Sequence, residues 1–591
     1  MNVNGYMRKC AVRSLLCAAL AALAVCLPAC GAETPETTTA ATTVASSASE
    51  ETTATSAEPV APGTVLVENG KSDYLVINAR TASSEVTMAT RDFISDLEKK
   101  TGVRLKLYPE SYAETECEIL VGMVHDRALS VQCMNDVDYT SWTLRLEGKK
   151  LIVTAYSEEG VSAALKELLA CVEEREDKWV VPAGLTRSGT TNGGKHAIPS
   201  CESESAYVAG IYQSAREGIE VCLRHVKNGE YEAYGKTLTD AGWVKYTDNV
   251  MGQNLYATYT HADGKTLHIG YYPSLQGGTL RIVSVPTGYL PPTEAPSFTR
   301  VTDTTFTQIK RDGVELNTAA GMSYIMQLAD ASFIIIDGGP ANTKDEDALL
   351  AYLRSLTPDG GKPVIAAWFI THAHPDHMAL ANNFLIKYHD QVEIRMAAYN
   401  FPVYETVQHA ADVNSNRSAF EPMIRLFIES ITKYWPDAEH FVIHAGQKLY
   451  LADAEIEILF THEDLFPLEY VWVNHTSIAF RIRSGGKTIM ILGDCEKTIC
   501  QQMADTYGAY LKSDMLQLAH HGANGACLDL YRCIDPDICF WACPKSKYES
   551  DPRQLGTMEG FEFNFYLRDT SIKTREHYHN SVTTVIPISK K

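Results

Sequence analysis

The stretch Thr371-His372-Ala373-His374-Pro375-Asp376-His377 decides the fold of the C-terminal half of this chain. It follows directly on the apolar run from Val364 to Ile370, which is typical of a buried strand. Histidines two positions apart in an extended chain can converge on one metal ion, while the aspartate and the next histidine turn to a second ion. The stretch therefore predicts a centre for two divalent ions at the end of a strand.

Four further segments place possible metal ligands at the ends of predicted strands. Three of them follow an apolar run, and one opens such a run. In chain order they are Asp337-Gly338-Gly339 after Phe333 to Ile336, Asn474-His475-Thr476 before Ser477 to Arg483, Gly493-Asp494 after Lys487 to Leu492, and His520-His521-Gly522 after Met515 to Ala519. Histidine and aspartate are side chains that zinc, iron and manganese accept as ligands.

These segments, in this order, resemble the metallo-β-lactamase superfamily, whose fold is an αββα sandwich with a one- or two-metal site at one edge. The resemblance implies that residues 303–591 form such a sandwich. It also implies a ligand set: His372, His374 and His475 for the first ion, Asp376, His377 and one of His520 and His521 for the second, and Asp494 as the bridge between the ions.

Two positions of this implied ligand set leave alternatives open. Of the two adjacent histidines, His520 is favoured as the ligand because it follows the strand directly, and His521 would then donate a proton to the leaving group or bind a phosphate oxygen. His475 competes with His444 and His462. Both competitors are expected at the surface, because they fall at the edges of a predicted strand pair.

A closer resemblance implies the chemistry. The pairing of Gly493-Asp494 with His520-His521-Gly522 resembles the hydrolase domain of DNA-uptake channel proteins and the phosphorylcholine esterases of cell surfaces. In that chemistry two divalent ions, zinc with manganese and iron as alternatives, turn a bridging water into hydroxide that attacks a phosphodiester or related ester. Asp376 and His521 are the candidate catalytic residues, and Asp337 is expected to orient a metal-bound histidine. A lactonase or β-lactamase-type hydrolase is the alternative activity.

The region before the sandwich predicts two small α+β domains, so the fold class is a multidomain α/β protein. Residues 63–195 alternate strand-like and helix-like runs, and the phrases DLEKKTGVRLKL and EILVGMVHDR resemble the non-catalytic N-terminal domain of family-20 hexosaminidases and α-glucuronidases. Residues 203–290 contain a predicted hairpin at Asp263-Gly264 and Tyr-rich strands that are expected to pack within a sheet. A second hypothesis follows: a non-catalytic envelope protein that binds glycan or peptide, with a structural metal domain.

The first 62 residues predict export and a lipid anchor. Basic residues precede an apolar run that ends in Leu27-Pro28-Ala29-Cys30-Gly31, which resembles the lipobox of bacterial lipoproteins. By that resemblance residues 1–29 are a signal peptide and Cys30 carries the lipid. Residues 30–62 are rich in Thr, Ser and Ala and predict a flexible tether. The protein is therefore expected on the outer face of a bacterial cell membrane, held by its N-terminal lipid.

Charge restricts the partners of the protein. The 591 residues include 73 acidic and 52 basic side chains, which gives a formal net charge of −21. Stable nucleic-acid binding is not expected, because it needs Lys and Arg to neutralise phosphates. A small-molecule or cell-envelope substrate is expected instead. The long segment from Asn400 to Pro436 is expected to wall the pocket, and Cys527, Cys533, Cys539 and Cys543 are expected as buried free thiols.

Overall fold

A computed structural model describes residues 63–590, apart from positions 81, 135, 192–197, 204, 215–217, 312–320, 408–409 and 466–469. The predicted signal peptide, the acylated Cys30 and the tether lie outside the described residues. Residues 61–591 cluster as one compact unit. No helix in the described part of the chain combines the length and the apolar character that crossing a membrane requires.

Residues 63–191 form the front sheet, which carries helices on both faces. Its sheet order is β3-β2-β4-β6-β5-β9, and β1, β8 and β7 pair as a separate small sheet. The elements are β1 Thr64–Glu68, β2 Leu75–Asn78, α1 Ser84–Thr101, β3 Lys106–Pro109, β4 Glu118–Val121, α2 Ala128–Met134, β5 Ser141–Glu147, β6 Lys150–Ala155, α3 Glu158–Cys171, β7 Glu173–Arg175, β8 Lys178–Val181 and β9 Thr186–Thr190.

Helix α1 shows why these residues fold as they do. Phe93, Ile94 and Leu97 form one buried stripe at helical spacing. The Ser83 side chain accepts the N–H of Val86 at the start of the helix, and Gly102, at φ 75°, ends it. The helix therefore ends at Thr101. Helix α2 was not predicted, because its seven residues are too few to show a periodic apolar stripe.

Residues 207–286 form the middle sheet, which is antiparallel throughout. The elements are β10 Tyr207–Ser214, β11 Gly218–Arg224, α4 Asn228–Asp240, β12 Val244–Met251, β13 Asn254–His261, β14 Lys265–Tyr272 and β15 Thr279–Pro286, in the sheet order β10-β11-β15-β14-β13-β12. The predicted hairpin at Asp263-Gly264 joins β13 to β14 and is confirmed. The tyrosines Tyr256, Tyr259, Tyr271 and Tyr272 are buried, as expected for side chains that pack within a sheet.

The first sheet of the sandwich has the order β22-β21-β19-β18-β17-β16-β30, and a short strand, β20, also pairs with β19. Strands β18, β19, β21 and β22 run parallel to one another. The elements are β16 Thr304–Gln308, β17 Tyr324–Gln327, β18 Phe333–Ile336, α5 Thr343–Leu356, β19 Val364–Phe369, α6 Pro375–Lys387, β20 Glu393–Ile394, β21 Met396–Tyr399, α7 Tyr404–Val407, α8 Ala411–Tyr434 and β22 Glu439–Val442.

The second sheet of the sandwich has the order β23-β24-β25-β26-β27-β28-β29, with β26 to β29 parallel. The last strand of the chain, β30, returns to the first sheet. The elements are β23 Lys448–Leu451, β24 Ala454–Phe460, β25 Ala479–Ser484, β26 Lys487–Ile491, α9 Lys497–Tyr507, β27 Met515–Gln517, α10 Leu528–Ile534, β28 Ile538–Trp541, α11 Lys545–Ser550, α12 Pro552–Leu555, α13 Glu562–Arg568, β29 Glu576–His579 and β30 Thr584–Ser589.

The two sheets pack face to face through one apolar layer. Phe369 of the first sheet stacks on Phe480 of the second, with 4.9 Å between the ring centres. Helices cover the outer faces and bury side chains such as Phe384 of α6 and Met503 of α9. Each fully buried side chain of this size stabilises the fold by about 1.5–3 kcal/mol. The predicted αββα sandwich is confirmed.

The middle sheet shares a core with the sandwich. Met251, Tyr256 and Tyr272 belong to the same buried apolar cluster as the outer helices of the sandwich. Helix α4 covers the other face of the middle sheet through Tyr234 and Leu238. The central strands of the middle sheet are therefore buried on both faces, and the sheet is packed against the sandwich.

Candidate metal centre

Two parallel strands of the first sheet position one half of the site. Strands β18 and β19 lie side by side, so the segments that follow them, Asp337-Gly338-Gly339 and residues 371–377, leave the sheet at the same edge. The N–H groups of Gly338 and Gly339 both donate to the carbonyl of His377, at 2.6 and 3.1 Å. Gly339 has φ 86°, which glycine adopts without steric cost. These bonds fix the histidine-rich loop to the neighbouring strand.

The second sheet positions the other half. Gln517 of β27 accepts the N–H groups of Leu492 and Gly493 at 2.7 and 2.9 Å, which ties the end of β26 to β27. Gly493 packs against Thr371, so close that a Cβ on the glycine would lie 3.0 Å from the Cβ of the threonine. The two halves of the site therefore meet at Gly493 and Thr371, directly before Asp494.

Asp494 lies at the centre of the site and is buried. Its carboxylate oxygens approach four imidazoles, at Nε2 distances of 3.2 Å for His377, 3.3 Å for His521, 3.7 Å for His520 and 3.9 Å for His372. Two sets of possible ligands have atoms that all lie within 4.8 Å of one another. They are His372, His377 and Asp494, and Asp376, His377 and His521. These two sets lie side by side because they share His377.

His374 points to the same place as His372. Its Nδ1 lies 3.0 Å from the Nε2 of His372, so the two nitrogens face one point, as expected for histidines that converge on one ion. The other nitrogen, Nε2, lies 2.8 Å from a carboxylate oxygen of Asp412 at the start of α8. The structure thus brings together His372, His374, Asp376, His377, Asp494 and His521 from the predicted set.

The structure reverses the order of preference between the two adjacent histidines. Both have positive φ, 47° for His520 and 58° for His521, so the chain turns left-handed after β27. This turn buries His521 and brings its Nε2 to 3.2 Å from Asp376. His520 is more exposed and lies beside Asn474 and Glu496. His521 therefore has the position of a ligand, in contrast to the expectation that His520 is the ligand.

Carboxylates hold the outer nitrogens of several of these imidazoles. Asp337 lies 2.7 Å from Nδ1 of His377 and also accepts the N–H and the hydroxyl of Thr371, at 2.7 and 2.8 Å. Asp412 contacts Nε2 of His374 in the same way, and it also accepts the N–H of Val473. Such partners fix the ring orientation of a metal-binding histidine and raise its basicity.

Sequence reasoning missed Asp412 and Glu496. Asp412 lies in the long segment that was expected only to wall the pocket, and no motif marks it. Glu496, the residue before α9, accepts a hydrogen bond from Asn474 at 3.1 Å and lies 3.5 Å from Nε2 of His475. Its spacing of two residues from Asp494 is the only signal that the sequence offered for it.

His475 is close to the site but is turned away from the two ligand sets. Its Nδ1 accepts the N–H of Val471 at 3.3 Å, and its Nε2 faces Glu496. Neither set of converging ligand atoms includes it. The structure therefore places His475 beside the site, where it would have to rotate to bind an ion.

The two competing histidines have structural roles. His444 and His462 are each only 2% exposed, so the expectation that they lie at the surface is wrong. His444 contacts Glu463 at 2.7 Å, and His462 contacts Tyr470 and Asn400 at 2.8 and 3.0 Å. Their polar atoms are thus partnered in the protein interior, and neither belongs to a converging ligand set of the described residues.

The carboxylates of the site control the protonation of its imidazoles. Burial alone would lower the pKa of His377, but Asp494 and Asp337 outweigh it and hold that pKa well above its ordinary value. Burial is outweighed in the same way at His521, where Asp494 and Asp376 raise the pKa to about 9. Burial and the neighbouring imidazoles of His377 and His374 lower the pKa of His372.

Metal binding is expected to release protons. At pH 7 the metal-free protein carries protons on His377 and His521, and both must leave because a ligating imidazole is neutral. Loading at pH 7 should release about two protons per chain, and the affinity for zinc should rise with pH up to about 9. Calorimetry in buffers of different ionisation enthalpy measures this release. Binding without proton release at pH 7 would show that the two imidazoles are already neutral.

The residues of the site fit a pair of divalent ions. Oδ1 of Asp494 and Nδ1 of His521 are buried, and no described residue forms a hydrogen bond with either, although Nε2 of His377 lies 3.2 Å from Oδ1 of Asp494. A buried polar atom without a partner is costly, and at a carboxylate an ion removes that cost. The mixture of imidazole and carboxylate donors suits zinc, manganese or iron.

Asp412 provides a test of the support around the site. Asp412→Asn is expected to weaken zinc binding by roughly 10- to 100-fold, because a neutral amide no longer holds His374 as a carboxylate does. Zinc affinity is measured by competition with a chromogenic chelator. Glu429→Gln, on the exposed side of the same helix, is the matched control and should change nothing. Equal zinc affinity in Asp412→Asn and wild type would show that Asp412 does not support the site.

Comparison with known structures returns weak similarity. The metallo-beta-lactamase fold protein YhfI from Bacillus subtilis is 13% identical, with a TM-score of 0.29, and the alignment covers 48% of this chain and 99% of YhfI. CmlA, a diiron beta-hydroxylase from Streptomyces venezuelae, is 13% identical, with a TM-score of 0.29, and the alignment covers 50% of this chain and 55% of CmlA. The chitobiase of Flavobacterium johnsoniae is 17% identical, with a TM-score of 0.16, and the alignment covers 22% of this chain and 18% of the chitobiase. All three TM-scores lie below 0.5, and all three identities lie below 25%.

The family comparison is specific. No curated protein matches the chain. Residues 317–538, however, match the model of the metallo-beta-lactamase superfamily. This range includes both ligand sets and the two strands that precede each half of the site. Members of the superfamily are mostly metal-dependent hydrolases, so the match indicates that general class of activity. Residues 317–538 therefore form a metallo-β-lactamase superfamily domain.

Proposed function

We propose that this protein hydrolyses a phosphodiester in an envelope or small extracellular substrate, with two divalent ions bound in the site. The observation that carries the proposal is the position of Asp494, a buried carboxylate whose oxygens lie within 4 Å of four imidazoles. Two ligand sets share His377 beside it. Two neighbouring ion sites are typical of enzymes that transfer a phosphoryl group to water. A structural site, in contrast, holds one ion that four protein ligands enclose.

The residues divide between the two ions by their position. His372, His374 and Asp494 would hold the first ion, with His475 as a further ligand if its ring turns. Asp376, His377, His521 and Asp494 would hold the second. When bound, the ions supply positive charge to a phosphoryl oxygen and lower the pKa of a water molecule.

The surrounding residues orient these groups and offer a hydrogen bond to the leaving group. Asp337 and Asp412 hold the rings of His377 and His374 in place. Burial, which the charge of Asp494 only partly offsets, lowers the pKa of His520. Its imidazole is therefore neutral at pH 7, and one ring N–H can donate to the leaving-group oxygen. Asp376 has a side chain that is 33% exposed, so the second ligand set faces the opening of the site.

The charge of the protein supports a small anionic substrate. The chain has a formal net charge of −21, so it repels large polyanions over most of its surface. Positive charge for a phosphate would come from the ions. The proposed location is the outer face of the cell membrane, with a lipid on Cys30, and it is supported by the sequence of residues 1–62.

A panel of chromogenic substrates tests the proposed activity. The zinc- or manganese-loaded protein is expected to hydrolyse bis(p-nitrophenyl) phosphate faster than p-nitrophenyl acetate, a lactone or a β-lactam. The metal-free protein should show the background rate, and Glu429→Gln should match wild type. Preferential hydrolysis of the acetate, lactone or lactam would overturn the phosphodiester proposal and leave the general hydrolase class intact.

A further inference from the structure

A buried charged cluster joins the middle sheet to the sandwich. Arg281 of β15 is fully buried, although arginine is rarely found inside a protein without partners. Its guanidinium lies 3.4 Å from Glu463 and 3.2 Å from Asp464, and it donates to the carbonyl of Ala445 at 3.3 Å. All three partners belong to the sandwich, so the middle sheet supplies the cation and the sandwich supplies the anions.

The charge balance of this cluster depends on Arg281. Glu220 of β11 is buried in the same place, and burial together with Glu463 holds the pKa of Glu220 well above its ordinary value. Burial therefore favours the neutral form of Glu220. His444 faces Glu463 at 2.7 Å and stacks on His268 of β14, with 4.0 Å between ring centres. Without the guanidinium, Asp464 would be a buried carboxylate without a cation, which is strongly unfavourable.

The turn that Arg281 holds leads directly to the metal centre. Residues His462–Asp464 form a short 3-10 turn, and His462 contacts the hydroxyl of Tyr470 at 2.8 Å. The next residue, Val471, donates its N–H to His475 and accepts the N–H of Ala411, the neighbour of Asp412. The contacts therefore run from the middle sheet to the histidine and the carboxylate beside the ligand sets.

A second path runs through helix α9. Gln502 of this helix donates to the carbonyl of Asp464 at 2.5 Å, and Gln253 of the middle sheet donates to the carbonyl of Thr506 at 3.2 Å. The hydroxyl of Tyr256 bonds that of Tyr507. Glu496 lies at the start of the same helix, where it contacts Asn474 and His475. The middle sheet therefore holds both segments that carry the outer residues of the site.

We propose that the middle sheet is a fixed brace of the metal centre and that Arg281 is its positioning residue. By pairing with Glu463 and Asp464, Arg281 sets the position of residues 470–476 and of α9, and through them the orientation of His475, Asp412 and Glu496. The middle sheet is then part of the hydrolase and not a separate recognition module. This inference goes beyond the proposed function, because it concerns how the site is held and not which bond is cut.

Hydrogen exchange on the full chain tests the brace. In Arg281→Met, amides of residues 461–465 and 470–476 are expected to exchange at least about tenfold faster, while those of β18 and β19 stay protected. Zinc affinity should fall by roughly 10- to 100-fold, as for loss of outer support at a metal site. Arg281→Lys, which keeps the positive charge, should retain part of the amide protection and part of the zinc affinity. Lys245→Met, an exposed cation on the same sheet, should match wild type.

The outcomes separate the brace from the activity. Exchange and zinc affinity do not depend on turnover, so a protein without phosphodiesterase activity still tests the brace. Unchanged exchange in residues 470–476 of Arg281→Met would overturn it, as would a uniform rise across all strands with no local excess. If Arg281→Met does not fold, the same two readouts are taken on Asp464→Asn, which weakens the pair but leaves the guanidinium with Glu463.

Discussion

Replacing His521 with alanine is expected to remove one of the two bound ions and to lower kcat/KM for a phosphodiester by at least about 100-fold. The reason is its position. Nε2 of His521 lies 3.2 Å from Asp376 and 3.3 Å from Asp494, and its ring belongs to the second set of converging ligands. Zinc content by mass spectrometry and steady-state kinetics measure the two effects.

His520→Ala is the matched comparison, because the two histidines are adjacent in the chain but their side chains point in different directions. It is expected to keep both ions and to lower kcat by roughly 100-fold, as loss of a hydrogen bond to the developing charge of the leaving group does. KM should change little. If His520→Ala loses an ion and His521→Ala keeps both, the assignment made from the left-handed turn after β27 is wrong.

Asp494→Asn is expected to have the largest effect of any single substitution in the site. The amide keeps the shape of the side chain and removes the charge that lies between the two ligand sets. We expect kcat/KM to fall by at least about 1000-fold, because both ions lose a shared anionic ligand. Asp505→Asn, an exposed residue on α9, is the control and should behave as wild type.

The same substitution has a second, independent readout. Asp494 is the carboxylate that contributes most to the raised pKa of His377 and of His521. In metal-free Asp494→Asn the pKa of His521 should therefore fall from about 9 toward its ordinary value of 6.5. Titration of the imidazole resonances by NMR measures it. An unchanged pKa of about 9 would mean that Asp376 alone controls His521.

The architecture and most residues of the candidate site could be predicted from the sequence, because both depend on short-range patterns. Strands end one to three residues before Asp337, His372, Asp494 and His520, and the periodic stripe of α1 shows its helix. In a sandwich of this kind the ends of the central strands meet at one edge. Polar residues at these ends therefore come together without any knowledge of distant contacts.

The residues that could not be predicted depend on long-range contacts or on the exact path of the backbone. Asp412 reaches His374 from a helix 38 positions later in the chain, and no local pattern marks it. The choice between His520 and His521 depends on two positive φ angles.

The sequence also does not show which part of the chain covers the second face of the middle sheet. The Tyr-rich strands of the middle sheet predicted packing correctly, but their alternation does not show what covers the second face. In the structure that partner is the sandwich, with which Tyr256 and Tyr272 share a core. Buried Arg281 belongs to the same contact, and its role follows only from the side chains of Glu463 and Asp464.

The measurement that most directly tests the account is the number of zinc ions that the metal-free protein takes up. Two side-by-side ligand sets predict two ions per chain in wild type and one in His521→Ala. Both should be lost or severely weakened when Asp494, the ligand that the two ions would share, is replaced by alanine. Uptake of no zinc by wild type, or full uptake by Asp494→Ala, would contradict a two-ion centre at this edge of the sandwich.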